Sequence, residues 1–364
     1  MNTITVQAQD LAAALKHGVA PGKSPLETIL HARLRVEGGQ LRVETTDTEV
    51  WARANVPVQG DDSFDVLLRD DLLRNAVAAA ADNLVIREDG KVRSNRGRYT
   101  IPTLPAQDFP SAEDGHWVSV AIDAQALATA VRTVSYCADA NNPNHAFRAV
   151  AIVPGMVWST DGKQIALVAI DYAGPRISIP VAQVPRLVAA MELLGARLEV
   201  ANVASDSAGL LRVVSAELQI STRLLATPIA DMGAVLRGVN LGEASATLHR
   251  ESVIAALRRF MPFVLYSAGK RLPNATLTAG DGVLSIRDRT SEFVETLDAD
   301  EGRGQWSVTL DPKRLLHALH AISEATVTLY PKAQGAGSRI GLICLTPEGR
   351  DLADAAHLLA PMME

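Results

Sequence analysis

The sequence contains few cysteines and few aromatic residues, and it lacks a long hydrophobic segment. Its two cysteines, Cys137 and Cys344, are far apart, which excludes a disulfide framework and a cysteine metal cluster and favours a reducing, cytoplasmic location. Aromatic residues are only 4% of the chain, so its cores must consist mainly of Ala, Val, Leu and Ile. The first residues do not resemble a signal peptide, and no stretch approaches the roughly 18 apolar residues of a membrane span.

The remaining composition is that of an ordinary soluble protein. Of the 364 residues, 48% are hydrophobic and 21% are charged, and this length predicts two or three domains. The formal net charge of −6 argues against binding to nucleic acid, unless the basic side chains are concentrated on one surface.

A strand followed by an amphipathic helix occurs six times, at intervals of about 60 residues. In the clearest copy, the strand ends at a predicted N-cap, Asp311, and Pro312 takes the first helical position. The three apolar positions of the pattern are Val6, Leu11 and Leu15; Leu68, Leu73 and Val77; Ile122, Leu127 and Val131; Ala182, Leu187 and Met191; Leu248, Val253 and Leu257; and Leu310, Leu315 and Leu319. The alanine before each third position would let neighbouring helices approach closely: Ala14, Ala76, Ala130, Ala190, Ala256 and Ala318.

A β-hairpin pattern recurs at twice this interval, with predicted turns at Asp47, Asp161 and Asp288. Together the two repeats predict an α+β chain of three similar domains, each with two strand–helix–strands units. The predicted boundaries are residues 1–115, 116–241 and 242–364, at clusters of turn residues. The alternative is that any α+β chain contains loosely similar segments.

Six equivalent helices have a geometric consequence. Packed side by side at about 9 Å, six helices would enclose a hole of only about 7 Å, whereas twelve would enclose one of roughly 24 Å. Duplex DNA is about 20 Å across. Two copies could therefore surround a duplex, and one copy could not.

The charges on these helices fit a non-specific DNA contact. Acidic residues lie mostly in the first turn, where they favour the helix dipole: Asp10, Asp70, Asp71, Asp123, Glu251 and Asp311. Basic residues follow and are candidates for contact with phosphates: Lys16, Arg74, Arg132, Arg186, Arg258, Arg259, Lys313 and Arg314. Such a lining would hold DNA loosely without reading its bases. Any one of these residues could equally lie on a solvated outer face.

Three segments resemble a known family. Residues 99–110 (YTIPTLPAQDFP), 159–162 (STDG) and 355–364 (AAHLLAPMME) are similar to motifs of the bacterial sliding clamps, the beta subunits of DNA polymerase III, and they occur in the same order. The resemblance implies a non-catalytic, head-to-tail homodimeric ring, with helices lining its hole, that slides on double-stranded DNA. Implied partners are the polymerase III catalytic subunit, the clamp loader and repair proteins; no cofactor, metal or membrane is implied.

The resemblance also implies a pocket for short peptide motifs. Carried over by position, it comprises Phe147, Thr160, Gly162, Lys163, Gln164, Ile165, Ala230, Ala234, Val235, Leu358, Leu359, Pro361 and Met362. The family usually has His-Arg where this chain has Lys163-Gln164, and a proline and an arginine at the positions of Ala230 and Ala234. We therefore expect a pocket with an altered partner preference.

Further residues are assigned by the same resemblance. Tyr99 and Ile101, on an edge strand, and Val264 and Leu265, after the fifth helix, would form the dimer interface. Lys23 and Asn141 align with positions that contact DNA. The basic pair expected before the fourth helix is replaced by Val184-Pro185, so DNA contact there should be weaker.

Two other classes of protein remain as alternatives. An enzyme is disfavoured, because the segment from Gly18 to Ser24 is one residue too short between its glycines for a phosphate-binding loop, and His317 and His320 lack a third metal ligand. The second alternative is a specialised clamp paralogue, or a scaffold that binds only proteins.

Overall fold

The computed structural model describes residues 2–19, 24–95, 97–110, 115–203, 209–226, 230–237, 239–268, 273–288, 293–334 and 341–362. Its helices are α1 Ala8–His17, α2 Asp70–Ala78, α3 Ala124–Ser135, α4 Val184–Met191, α5 Met232–Arg237, α6 Arg250–Ala268 and α7 Pro312–Ala321. Its first strands are β1 Thr3–Gln7, β2 His31–Glu37, β3 Gln40–Thr46, β4 Val50–Pro57, β5 Phe64–Arg69, β6 Asn83–Arg87, β7 Lys91–Arg93, β8 Arg98–Thr100, β9 Thr103–Pro105 and β10 Val118–Val120. The next are β11 Ala149–Val153, β12 Met156–Thr160, β13 Gln164–Ala169, β14 Ile177–Pro180, β15 Arg197–Ala201, β16 Leu210–Val214, β17 Leu218–Arg223 and β18 Ser245–His249. The last are β19 Ala275–Gly280, β20 Val283–Arg287, β21 Val294–Asp298, β22 Glu301–Arg303, β23 Trp306–Leu310, β24 Thr326–Gln334, β25 Gly341–Pro347 and β26 Ala355–Leu359.

The chain forms two compact units. The first comprises residues 1–128 and 185–226, and the second comprises residues 129–184 and 227–364. The predicted boundaries at 115 and 241 follow the internal repeat rather than this division, and three domains remain a prediction.

The first unit contains a four-stranded sheet, β1-β6-β7-β8, and a nine-stranded sheet, β10-β15-β16-β17-β4-β3-β2-β5-β9. All of the neighbouring strands in both sheets are antiparallel. Helices α1 and α2 pack against each other, and their inner faces carry fully buried Leu11 and Leu73. Apolar side chains on alternate strand positions complete this core.

The second unit repeats this plan. It contains a nine-stranded sheet, β14-β11-β12-β13-β26-β25-β24-β18-β22, and a four-stranded sheet, β21-β20-β19-β23. Helices α6 and α7 pack against each other, and Leu257, Phe260 and Leu315 lie in one core cluster with the strands of both sheets. The pairing of β13 with β26 brings the C-terminal strand into the larger sheet.

The six helices predicted from the repeat are confirmed as α1, α2, α3, α4, α6 and α7. All six of the repeat alanines are buried, and two of the helix pairs that carry them, α1 with α2 and α6 with α7, pack against each other. The one apolar repeat position that is exposed is Ala182, and it was wrongly expected to end a strand. Strand β14 ends at Pro180, and a short 3-10 turn, Val181–Gln183, separates it from α4.

The predicted cap at Asp311 and the predicted turns at Asp47 and Asp161 are also confirmed, whereas residues 289–292 of the turn predicted at Asp288 lie outside the described residues. The Asp311 carboxylate accepts a hydrogen bond from the backbone N–H of Lys313 at 2.9 Å, with Pro312 at the first helical position. Asp47 accepts one from the N–H of Val50 at 2.8 Å and closes the turn between β3 and β4. No helix among the described residues is long and apolar enough to cross a membrane.

Candidate functional site

The turn between β12 and β13 is the centre of the candidate site in the second unit. One carboxylate oxygen of Asp161, Oδ1, accepts hydrogen bonds from the backbone N–H groups of Lys163 (2.8 Å) and Gln164 (3.0 Å). Thr160 Oγ1 accepts another from the N–H of Gly162 at 3.0 Å. These side chains satisfy the backbone of the turn and fix its shape.

The C-terminal strand places the tail of the chain beside this turn. Strand β26 pairs with β13, so that Leu358 lies opposite Ile165 and Leu359 lies opposite Gln164. The N–H of Ala360 donates to the carbonyl of Lys163 at 2.8 Å. Residues that are almost 200 positions apart are thereby held within one small region.

A half-buried aromatic ring closes one side of the turn. A Cβ atom built on Gly162 would lie 2.9 Å from Cε2 of Phe147, and Gly162 has a φ of +86°. Both the backbone conformation and the close approach of the ring therefore require glycine here. The ring and the turn together form a surface that any side chain on residue 162 would disturb.

Helix α5 joins the same region through its buried side. Met232 belongs to a core cluster that also contains Trp158 and Leu358, and Ile165 packs against that cluster. The side chain of Asp231 accepts a hydrogen bond from the N–H of Ala234 at 3.0 Å and caps the helix. This anchoring leaves Val235 exposed to solvent.

The predicted pocket residues differ in exposure. The exposed ones are Gly162, Lys163, Ala230, Ala234 and Val235. The half-buried ones are Phe147, Thr160, Ile165, Pro361 and Met362, and the buried ones are Gln164, Leu358 and Leu359. In this conformation the two leucines belong to the core below the surface. We call the exposed and half-buried residues the tail pocket.

An ion pair supports the turn and was not anticipated from the sequence, which assigned Arg314 to DNA. Nη1 of Arg314 donates to Oδ2 of Asp161 at 2.8 Å, and both side chains are mostly buried. Because Asp161 already caps the turn through its other oxygen, the guanidinium connects the tail pocket to the first turn of α7. The sequence carries no local sign of this pair.

A buried polar group lies on the core side of β26. Tyr136 Oη and His357 Nδ1 are hydrogen-bonded at 2.8 Å, and His357 is fully buried. Burial lowers the pKa of His357 to about 4, so the ring is neutral near pH 7. Burial also raises the pKa of Tyr136 well above its usual value and that of the Cys137 thiol to about 12.

The basic residues of the first unit's helices are placed differently from one another. Lys16 is exposed on α1. Arg74, in contrast, is paired with the buried Asp70 at 2.6 Å and also donates to the Leu15 carbonyl. Burial raises the pKa of Asp70, while its bond to Arg74 opposes that change. Arg186 is half-buried at the start of α4.

The second unit shows the same contrast. Lys313 is exposed on α7, and Arg258 Nη2 lies 2.8 Å from His320 Nε2. Arg259 forms a two-pronged ion pair with Glu295 at 3.0 and 2.6 Å. Arg132 and Asn141 are exposed, while Lys23 lies outside the described residues.

Exposed apolar side chains occur near the predicted dimer positions. Tyr99 is exposed on β8, an edge strand as predicted, whereas Ile101 is buried. Val264 and Leu265 were wrongly expected to follow the fifth helix: both lie within α6, which continues to Ala268, and Val264 is buried whereas Leu265 is exposed. The neighbouring Phe263, Tyr266 and Val294 are also exposed, and the rings of Phe263 and Phe293 stack at 4.1 Å. We call Phe263, Leu265, Tyr266, Phe293 and Val294 the α6 patch.

The structure does not support the two features that would have indicated an enzyme, the segment from Gly18 to Ser24 and the pair of His317 and His320. Gly18 follows a helix, α1, where a phosphate-binding loop would follow a strand. In the part of the chain that the structure describes, no group of three or more His, Cys, Asp or Glu residues could hold a metal ion. His317 lies exposed on α7, and His320 contacts Arg258.

Comparison of the sequence with known proteins gives matches to one kind of protein. A beta sliding clamp of Vibrio cholerae serotype O1 is 28% identical over 190 residues, which are 49% of this chain and 49% of that protein. A beta sliding clamp of Vibrio harveyi is 32% identical over 118 residues, which are 30% of this chain and 81% of that sequence. The aligned part thus spans about half the length of the Vibrio cholerae protein. No family model matches the chain.

Comparison with solved structures covers the chain from end to end. The crystal structure of the DNA polymerase sliding clamp from Pseudomonas aeruginosa with ligand has a TM-score of 0.83 and 19% identity, over 100% of both chains. That of the sliding clamp from Bacillus subtilis has a TM-score of 0.84 and 13% identity, over 100% of this chain and 99% of the other. At these identities the likeness establishes the α+β fold.

Proposed function

The chain belongs to the beta sliding clamp family, and we propose that it is itself a DNA sliding clamp. In this proposal two copies close a ring around double-stranded DNA without reading its sequence. The ring then tethers the DNA polymerase III catalytic subunit, the clamp loader and other replication or repair proteins to the template. The protein would be a processivity factor with no catalytic residues and no cofactor, located with the nucleoid in the cytoplasm.

The observation that supports the proposal is the arrangement of the tail-pocket residues around the turn between β12 and β13. The turn at Asp161–Lys163, the ring of Phe147, the exposed Val235 and the half-buried Pro361 and Met362 all belong to the second unit. Apolar side chains around a fixed turn suit a short peptide that inserts a few anchoring residues. A surface of this kind serves recruitment of partners rather than chemistry on a small substrate.

The helices supply the proposed contact with DNA. Lys16, Arg132 and Lys313 are exposed on α1, α3 and α7, and we propose that they bind phosphates and thereby release counterions from the DNA. Arg74, Arg259 and Arg314 are engaged by carboxylates, so each has less free charge for a phosphate. We therefore propose a loose electrostatic hold on DNA, with the closed ring providing the retention.

The dimer interface is proposed to use exposed apolar surface and an open sheet edge. Strand β8 is a free edge of its sheet and carries the exposed Tyr99, and the α6 patch offers large apolar side chains in the second unit. Exposed apolar clusters and unpaired edges are both features of association surfaces. Ile101 and Val264 would support these surfaces from beneath.

Retention on circular DNA tests the proposal. The protein is loaded on a nicked plasmid with its clamp loader, the plasmid is linearised, and dissociation is followed by gel filtration. We expect retention on the circle and loss from the linear ends. Equal behaviour on both forms would contradict topological linkage and would favour a scaffold or a specialised paralogue.

The altered partner preference is tested separately. Lys163 is exposed and Gln164 is buried, so Lys163 and the exposed Ala230 and Ala234 are the positions at which a bound peptide would meet a different surface. We expect peptides with a standard clamp-binding motif to bind more weakly than they bind a clamp with the usual residues. Equal affinity would show that these differences are neutral.

A further inference from the structure

An arginine-rich cleft lies on the first unit's nine-stranded sheet, on the face opposite the core. It encloses about 200 Å³. Five of the lining residues are arginines on strands β2, β3, β4 and β16: Arg33, Arg35, Arg42, Arg53 and Arg212. Among the residues that the structure describes, Glu44 is the one carboxylate in the lining. We call these six residues, with Trp51 and Trp117, the arginine cleft.

Three of the arginines are held rigidly by carboxylates. Glu44 lies between Arg53, at 2.6 Å, and Arg33, at 3.6 Å. Arg33 also donates two parallel hydrogen bonds to Asp65 at 2.8 and 2.7 Å. Arg212 is paired with Glu199 at the other end of the cleft. Bidentate and networked pairs of this kind fix the planes of the guanidinium groups.

Of the other two arginines, Arg42 has no carboxylate partner among the described residues, and Arg35 is paired with an exposed glutamate. Arg35 and Arg42 lie directly opposite each other on β2 and β3, and the residue opposite Arg42 on its other side is the neutral Asn55. Like charges in directly opposed positions destabilise a sheet. Nε of Arg42 is buried and has no hydrogen-bond partner among the described residues. Arg35 is ion-paired with the exposed Glu37 on its own strand at 3.1 Å, and its directly opposed residue on β5 is Asp65.

Aromatic rings form part of the wall of the same cleft. The guanidinium of Arg212 stacks over the ring of Trp117 at 4.1 Å, and Nε1 of Trp51 donates to the carbonyl of Pro110 at 3.3 Å. Both rings are therefore held in place. Fixed donors beside flat apolar surfaces suit a ligand with a charged end and a planar end.

We propose that the arginine cleft binds a phosphate ester, with a phosphate group between Arg35 and Arg42 and a planar base near the tryptophans. A phosphate monoester carries a charge of about −1.5 to −2 and three acceptor oxygens. It can accept hydrogen bonds from guanidinium groups on two neighbouring strands at once. It would also remove the repulsion between the opposed arginines. The phosphate could come from a free nucleotide or from a nucleic-acid strand, whose internal phosphates are diesters that carry one charge and two unbridged oxygens each.

Calorimetric titration of the purified full chain, without DNA or partners, tests the proposal. The probes are inorganic pyrophosphate, ATP and a short single-stranded oligothymidylate. We expect pyrophosphate and at least one of the other two to bind, and binding to weaken with added salt. If ATP binds and the oligonucleotide does not, the ligand is a free nucleotide; the reverse result assigns the site to a nucleic-acid strand. Absence of binding by all three probes would overturn the proposal.

Three variants assign the binding to the cleft. Arg42→Gln should weaken it by about tenfold or more, through loss of charge-assisted hydrogen bonds. Arg35→Glu places a carboxylate opposite Arg42 and should abolish binding. Arg93→Gln is the matched control, because Arg93 also lies opposite an arginine, Arg98, but on an exposed hairpin. Equal loss in Arg93→Gln, or unchanged binding in Arg42→Gln, would overturn the assignment.

This site is independent of the proposed clamp function. Every residue that carries it belongs to the first unit, whereas the tail pocket belongs to the second. The titrations use neither a loader nor circular DNA, so their failure would leave the retention experiment unaffected. Conversely, a protein that failed to stay on circular DNA could still bind pyrophosphate in the arginine cleft.

Discussion

Arg314 and Asp161 are joined by a hydrogen-bonded ion pair of 2.8 Å across 153 positions of the sequence. Asp161 uses one carboxylate oxygen to cap the turn between β12 and β13 and the other to accept from Arg314. The turn of the tail pocket is thus attached to helix α7. Any partner peptide that contacts this turn meets a surface whose shape depends on a helix proposed to face DNA.

Replacing Arg314 should therefore affect the pocket as well as stability. Arg314→Met leaves Asp161 mostly buried and without its cationic partner, which should lower the free energy of unfolding by about 1–2 kcal/mol. We expect a fluorescent peptide with a clamp-binding motif to bind several-fold more weakly in polarisation titrations. Lys313→Met, at the exposed neighbouring position, is the control and should leave both measurements unchanged. Unaltered peptide affinity in Arg314→Met would refute the coupling.

Gly162 offers a second test of the turn, because Gly155 has nearly the same backbone conformation. Their φ angles are +86° and +81°, but a Cβ on Gly155 would meet no atom within 4 Å. Gly155→Ala should lower the free energy of unfolding, measured by chemical denaturation, by about 1 kcal/mol, because it adds only backbone strain. Gly162→Ala should lower the free energy of unfolding by more than this, since its Cβ would collide with Phe147. It should also weaken peptide binding. Equal costs would mean that the ring moves aside freely.

Much of the fold could be predicted from the sequence, because helix periodicity and hairpin turns are local signals. The cap at Asp311 and the turn at Asp161 follow from chemistry within a few residues. The partner of Arg314 could not be predicted in this way, since the pair depends on how distant strands are arranged.

Exposure within the candidate site was equally hard to predict. Leu358 is buried because β26 lies between β13 and β25, a pairing that no local pattern specifies. Tyr266 could have been found, because it lies off the apolar stripe of α6 that includes Leu257, Phe260 and Val264. The resemblance instead placed the dimer contact partly on Val264, which faces the core.

The ion pairs on the helices predict an unequal contribution to DNA binding. Lys313→Gln removes an exposed charge and should reduce the slope of log K against log salt by about 1, for binding to linear duplex DNA. Arg259→Gln should change this slope less, because the guanidinium is already engaged by both oxygens of Glu295. A larger effect of Arg259→Gln would show that this pair opens on DNA.

The α6 patch predicts the effect of surface substitutions on assembly. Tyr266 is 89% exposed, and Phe263 on the same helix is also exposed. Tyr266→Ser should therefore weaken dimerisation by about tenfold in sedimentation velocity, through loss of buried apolar area. Leu194→Ser is the matched control: Leu194 is 95% exposed but lies in the other unit, after α4. If both substitutions weaken the dimer equally, the patch is not the interface.

The buried His357 predicts how stability depends on pH. Burial lowers its pKa to about 4 from an ordinary value of 6.5, and the nearby Glu324 opposes this shift only partly. Between pH 4 and pH 6.5, the imidazole is protonated in the unfolded chain and neutral in the folded chain. The contribution of this pKa shift to the free energy of unfolding is therefore fully present above pH 6.5 and is lost progressively as the pH falls toward 4. A shift of this size corresponds to about 3 kcal/mol.

Substitution separates this contribution from that of other acid-sensitive groups. His357→Phe keeps a ring in the core and removes the proton-binding site, at the cost of the hydrogen bond to Tyr136. Urea unfolding at several pH values should show a shallower loss of stability between pH 6.5 and 4 than in the unmodified chain. His317→Phe, on the exposed face of α7, is the control, and its free energy of unfolding should depend on pH as it does in the unmodified chain. If His357→Phe retains the full slope, the buried imidazole is protonated without cost, and the acid sensitivity arises from other groups.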